Sequence, residues 1–339
     1  MLLIIFARLN GGLTMNIREL RNMFPALSRT VYGKQLVYFD NAATAQRSQS
    51  VIDKWTQLTI GANANLHRAV HKLAVDATDE YESTRDAVKE YINAAAREEI
   101  VFTSGTTGSI NLVAFSFGET FVNEGDEIIV SESEHHSNIV PWQMLCQRKG
   151  AVLRVLHVDE DGHLNLEELK SLLNPKTRIV AVTQISNVLG ILNPVKEIVS
   201  ICHSTGCPVL IDGAQGMVHE GVDVQDVDCD FYAFSGHKIY AATGTGVLYV
   251  KEELGEQLPP FMGGGEMIGT VSWEGTTYAD LPYKFEAGTP NFNAAVTLKP
   301  AIGLLESIRK DEELTQSSEL VKTFVYQRLI SNSKIHLYG

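Results

Sequence analysis

In the stretch "DFYAFSGHK", Ser235, His237 and Lys238 come directly after an apolar run. An ammonium is expensive to desolvate, so Lys238 is a solvated loop residue, a phosphate clamp or a covalent catalyst. Other apolar runs end in similar polar groups. "EIVFTS" leads into "GTTGSINLVAF", which puts Thr106 and Thr107 at a helix start. Backbone N–H groups there suit a phosphate, and N-capping by a threonine is the simpler alternative. "EIIVSE" leads into "SEHHSNIV". Adjacent residues on an extended chain face opposite sides, so His135 and His136 make a poor chelate. A single histidine facing a pocket, as ring stacker or proton carrier, is the better functional reading. "VAVTQISNVLG" and "CPVLIDGAQG" place Asn187, Asp212 and Gln215 just beyond two further runs. A carboxylate at the end of an apolar strand must be paired or solvated, with capping of the next helix as the plain alternative.

Seven short runs carry these groups or alternate with them: "EIVFTS", "EIIVSE", "VLRVLHV", "RIVAVTQ", "PVLIDG", "DFYAFSG" and "GVLYV". Segments long enough for a crossover helix separate most of them, such as "NPVKEIVSICHSTG". The alternation predicts an α/β fold, a mainly parallel seven-stranded sheet covered by helices on both faces. In such sheets ligands sit beyond the carboxyl ends of the strands, where the polar groups fall. Ahead of the first run, Leu73, Ala77, Tyr81, Val88 and Ile92 recur at helical spacing and predict an amphipathic helix. Glycine- and proline-rich loops follow residue 255, then helical stretches near 294–310 and 313–331, and "KIHLYG" reads as the start of a strand.

The chain has 339 residues, of which 44% are hydrophobic and 20% charged, with a formal charge of −13. This composition is that of a soluble globular protein. It offers neither the clustered Lys and Arg of a nucleic-acid surface nor a reason to bind anionic membranes. The opening "MLLIIFARLN" is too short to span a bilayer, and its basic residue follows the apolar run. Residues 1–16 are read as a lead-in and the location as cytoplasmic. Cys146, Cys202, Cys207 and Cys229 form no CxxC pair and imply reduced, structural thiols. No HExxH or Cys/His cluster points to a metal.

Taken together, a phosphate cradle, an acid and a lysine are what pyridoxal 5'-phosphate requires. Asp212 would face the pyridinium nitrogen and keep it protonated, and Lys238 would form the Schiff base. His135 would stack on the ring. Thr107, Ser235 and His237 would bind the phosphate, and Asn187 and Gln215 the 3-oxygen side of the ring.

At these residues the chain resembles the Suf-type (group II) cysteine desulfurases, fold-type I pyridoxal-phosphate enzymes. The matching stretches are "YFDNAATAQ", "HRAVHKLA", "FTSGTTGSINLVA", "EHHSNIVPWQ", "ISNVLG", "DGAQ", "DCDFYAFSGHKIY" and "FEAGTPN". By position, the resemblance implies that Lys238 is the Schiff-base lysine and His135 the stacking histidine. It implies a homodimer in which Thr289, with Gly263 as a further candidate, completes the partner's phosphate site. It also implies sulfur removal from L-cysteine as an enzyme persulfide plus L-alanine, with transfer to a Suf-type acceptor for iron–sulfur assembly.

There are two departures from the family pattern. Ala241-Ala242 stands where the family usually has Gly-Pro, with an expected cost in stability or geometry. The family's persulfide-forming cysteine and its carboxylate-binding arginine lie in a segment that this sequence does not reach. The chain is therefore read as a large cofactor domain, residues 17–300, followed by the beginning of a truncated small α/β domain, residues 301–339. That truncation is expected to leave apolar surface on the last helices. Alternative readings are a selenocysteine lyase, another β-eliminating lyase of the same fold, or a non-catalytic cofactor-binding scaffold.

Overall fold

A computed structural model describes residues 17–67 and 70–332. The lead-in at 1–16 and the expected strand at "KIHLYG" lie outside these residues. Helices α1 (Gln49–Gly61) and α2 (Lys72–Tyr91) precede strand β1 (Ile100–Thr103). The chain continues through α3 (Thr106–Phe121), β2 (Glu127–Ser131), α4 (Val140–Lys149), β3 (Val152–Leu156) and β4 (Thr177–Thr183). Then come α5 (Val195–His203), β5 (Val209–Asp212), β6 (Phe231–Ser235) and β7 (Gly246–Val250). Helices α6 (Leu298–Lys310) and α7 (Glu312–Ile330) close the described region.

The seven strands lie in one sheet, in the order β1-β7-β6-β5-β4-β2-β3. Strand β7 is antiparallel to both its neighbours, and the remaining pairs are parallel. Alternate residues along each strand enter two separate apolar layers. Ile129, Val182, Ile211 and Phe234 pack with α1, α2, α5 and α6. Ile128, Ala181, Leu210 and Ala233 pack with α3 and α4. All seven expected strands are present, and helices cover both faces. The expectation of strands apolar throughout fails at β3, an edge strand whose Val152 and Val155 are exposed. On α2 the buried stripe runs through Ala74, Ala77, Tyr81 and Val88, whereas Leu73 is 47% exposed. His71 caps this helix, and Ala77, Tyr81, Val88 and Ile92 are buried as the helical spacing predicts, with Leu73 alone turned outward. Leu320, Phe324, Tyr326 and Ile330 are exposed on α7. Among the described residues no helix is long and apolar enough to cross a membrane, and no group of three or more His, Cys, Asp or Glu is placed to hold a metal.

Strand β1 lies at the sheet edge, where unpaired backbone groups need partners. A fully buried ion pair supplies them. Arg85 donates through Nη1 to the Ile100 carbonyl (2.6 Å) and to Glu286 Oε1 (2.7 Å). Glu286 Oε1 also accepts the Phe102 N–H (2.7 Å), and Oε2 accepts the Tyr81 hydroxyl (2.9 Å) and Arg85 Nη2 (3.0 Å). The pair thus fastens the 286–291 loop and α2 to the edge. Losing one partner strands a buried charge, so Glu286→Gln should lower the unfolding free energy by about 3–5 kcal/mol, read by urea denaturation. A loss below about 1 kcal/mol would show that the pair does not close this edge.

Candidate active site

The pairing register lines up the strand ends. Thr183 pairs with Asp212 and Asp212 with Ala233, two residues short of Ser235. Ser235 and Thr103 both pair with Gly246. The polar groups seen in the sequence therefore form one row at the carboxyl edge of the sheet. Two glycines permit this packing. A Cβ on Gly246 would lie 2.4 Å from the Gly105 Cα, and one on Gly213 would lie 2.0 Å from the Tyr232 ring. The first contact brings the turn before α3 against the start of β7. The second lets the Asp212–Gln215 turn lie on Tyr232.

Above this row is a cavity of about 460 Å³, lined among others by Thr106, Thr107, His135, Asn187, Asp212, Gln215, Ser235, His237 and Lys238. Every residue expected at the site is present except Thr289 and the further candidate Gly263. Thr289 lies outside the cavity, exposed on the 286–291 loop, and donates to Asn65 Oδ1 at 3.3 Å. At one end, Ser235 Oγ accepts the Thr106 N–H (2.8 Å) and shares a hydrogen bond with the Thr106 hydroxyl (2.8 Å). This joins the N-terminus of the 16-residue helix α3 to β6. At the other end, Asp212 is buried, and its Oδ1 accepts the Ala214 N–H (2.9 Å).

Burial raises the Asp212 pKa above the usual carboxylate range, opposed by the Ala214 N–H and by Lys238 and His135. Burial lowers the Lys238 pKa, and the Asp212 charge opposes that shift. Burial thus disfavours the charged form of each residue, while the charge of each favours the other's ionised form. Among the described residues, the side chains of Lys238 and Asn187 have no protein hydrogen-bond partner, although both line the cavity.

His135 caps a short turn, His136–Asn138. Its Nδ1 accepts the Ser137 N–H at 3.2 Å. A neutral His135 therefore carries its proton on Nε2, the nitrogen turned away from that turn. Burial, then the Lys238 charge, lowers its pKa. His136 does not line the cavity, but the chain turns here and is not extended, so the two imidazoles lie 5.9 Å apart and do not face opposite sides as expected.

Sequence reasoning missed one wall of the site. The segment Ala42–Ala45 precedes the sheet and has no strand-end signal, yet it is tied to two site residues. Gln215 Nε2 donates to the Ala42 carbonyl (2.9 Å), and the Ala45 N–H donates to the His237 carbonyl (2.9 Å). His237 Nδ1 lies 3.1 Å from the Thr44 hydroxyl. The Ala241-Ala242 pair is also better accommodated than expected. Both residues are buried, and the Ala242 N–H donates to the Thr297 hydroxyl (3.0 Å), a bond that proline could not make.

A mostly parallel sheet covered on both faces, with a half-buried lysine and a buried aspartate at its carboxyl edge, defines the fold-type I class of α/β enzymes, the fold of pyridoxal-phosphate aminotransferases. The chain belongs to the class-V aminotransferase family, whose model matches residues 37–339. A cysteine desulfurase of Enterobacter sp. (strain 638) is 48% identical over 324 residues, covering 95% of this chain and 80% of the relative. The crystal structure of the cysteine desulfurase CsdA of Escherichia coli shares 42% identity, with a TM-score of 0.78 over 85% of this chain and 71% of that one. The apo cysteine desulfurase of Thermococcus onnurineus NA1 shares 37% identity, with a TM-score of 0.80 over 86% of this chain and 71% of that one.

The lowered Lys238 pKa has a measurable consequence. Its acylation by an amine reagent, followed by peptide mapping, should reach half-maximal rate at a lower pH than that of Lys170, which Glu167 holds protonated. Asp212→Asn removes the opposing charge and should move the Lys238 midpoint further down. A midpoint at or above that of Lys170 would contradict this electrostatic picture.

Proposed function

We propose that this enzyme is a Suf-type (group II) cysteine desulfurase that binds pyridoxal 5'-phosphate and removes the sulfur of L-cysteine, leaving L-alanine. The observation that carries this reading is the pairing of Lys238 and Asp212 in one cavity, in a chain whose relatives are named cysteine desulfurases. The donor set fits the cofactor. Thr106, Thr107, Ser235 and His237 gather hydroxyls, an imidazole and a helix N-terminus at one end, suited to a phosphate. Asp212 offers a buried carboxylate to a ring nitrogen, and Lys238 lacks a protein partner.

Bound there, the cofactor would supply an electron sink for the pair left at the substrate α-carbon when its proton departs. Asp212 holds a proton on the ring nitrogen by opposite charge. Lys238, with its pKa lowered by burial, has an increased neutral fraction and takes the proton from the α-carbon and returns it. His135, which lines the cavity, would pack on the ring face and would present its Nε2 proton to the substrate's sulfur side. Asn187 and Gln215 orient the 3-oxygen side of the ring. The Ala42–Ala45 segment excludes water from that wall.

None of the four cysteines suits the role of sulfur acceptor. All are buried free thiols. Burial pushes Cys202 up to about 12 and raises Cys146, Cys207 and Cys229 as well. Thiolate character is what sulfur attack requires, so the acceptor thiolate in this proposal is none of these four. The sulfur would leave as a persulfide for a Suf-type acceptor protein and iron–sulfur assembly in the cytoplasm. The proposed unit is a homodimer in which Thr289 serves the partner's phosphate site, and its exposed position outside the chain's own cavity supports this. Residues 17–300 would form the large domain and residues from 301 the start of a small one, with α6 as the joint.

In deuterium oxide with pyridoxal phosphate, the protein should exchange the α-proton of L-cysteine. Lys238→Ala should slow that exchange at least ~100-fold, the scale of a lost general base, and Asp212→Ala should slow it as well. Exchange that persists unchanged in Lys238→Ala would overturn the reading.

A further inference from the structure

One buried ionisable group near the site has no part in this mechanism. Glu134 is 8% exposed and sits between the end of β2 and the turn that follows His135. Its Oε1 accepts the Thr183 N–H (2.8 Å) and meets the Ser131 hydroxyl, and its Oε2 accepts Asn138 Nδ2 (2.7 Å). Asn138 Oδ1 in turn accepts the Trp142 indole N–H (2.9 Å). Both Asn138 and Trp142 are fully buried.

The donors fix this network in one sense. An indole N–H can only donate, so Asn138 must present its oxygen to Trp142 and its amino group to Glu134. A backbone N–H can only donate, so the oxygen facing Thr183 must accept. Ser131 alone can reverse, with the Ser133 hydroxyl 3.1 Å away as its next partner. A carboxyl group fits this setting, charged or carrying a proton toward Ser131. An amide fits in neither orientation, because its NH2 would meet Thr183 or Asn138, both donors.

We propose that Glu134 is a positioning residue for His135: by gripping Thr183 and Asn138 together, it pins the turn that carries the imidazole to the end of β4 and so fixes the ring over the cavity. The inference rests on the reading of His135 as the group that faces the cofactor ring. Thr183 lines the same cavity, so the grip also fixes part of the cavity floor. Burial pushes the Glu134 carboxyl up to about 8, and Asp212 is the charged group that faces it. Below neutrality Glu134 therefore carries a proton, and Glu134→Gln exchanges one neutral group for another in the range where His135 titrates. Any change at His135 in that range reports geometry, not a lost charge.

The test is an NMR titration of the histidine rings in the protein without cofactor. Burial lowers the His135 pKa; in Glu134→Gln the loosened turn lets water reach the ring, and the midpoint moves upward. His157, held by Glu168 on the far side of β3, should titrate as before and serves as the control. Asn138→Ala keeps the Glu134–Thr183 bond, cuts the tie to the turn and also removes the acceptor of the Trp142 indole N–H. It should move His135 the same way by a smaller step, and it decides alone if Glu134→Gln does not fold. An unchanged His135 midpoint in folded variants overturns the positioning role. If the midpoint moves but the circular dichroism of the bound cofactor's visible band does not, the positioning role stands and His135 is not the ring's neighbour.

Discussion

The site depends on the parallel register of β4, β5 and β6. Thr183, Asp212 and Ala233 stand side by side across three strands, and the groups that follow them open into one cavity. Side chains alternate along a strand with a period of two, so a slip of one residue would turn Asp212 to the opposite face. The two apolar layers on either side make such a slip prohibitive, because every core residue of the strand would be exchanged with it. The chemistry is thus held in place by packing that has no chemical role of its own.

Within that frame, desolvation does the electrostatic work. Removing water from Lys238 favours its neutral form and removing water from Asp212 favours its acid form, while each charge opposes the shift of the other. A cationic ring beside Asp212 would restore the carboxylate's charge partner and leave the lysine free to move protons. Around this pair the support is polar and one-directional. Ser235 takes the first N–H of α3, Ala42 and His237 carbonyls tie down a segment from far upstream, and Glu134 grips the turn beyond His135.

Much of this was legible in the sequence. The seven apolar runs became the seven strands, and nine of the expected site residues meet in one cavity, because the chain leaves each parallel strand at the same edge of the sheet. What was not legible depends on distant pairing. Ala42–Ala45 reaches the site through contacts some two hundred positions away, and no local pattern announces that. Glu134 reads as an ordinary polar residue until Asn138, Trp142 and Thr183 are seen around it. Leu73 was misplaced because in the first turn of α2 its neighbour Ala74 takes the buried position. Thr289 points to a different limit: its proposed role belongs to two chains together, so it has no place in the cavity of one.

The central claim is that Lys238 is the covalent anchor of the cofactor. Incubation with pyridoxal phosphate, reduction with borohydride and peptide mapping test it most directly. The account predicts a pyridoxyl group on Lys238 and no label there or elsewhere in Lys238→Ala. Stable labelling at another lysine, or none at all in the folded protein, would contradict it.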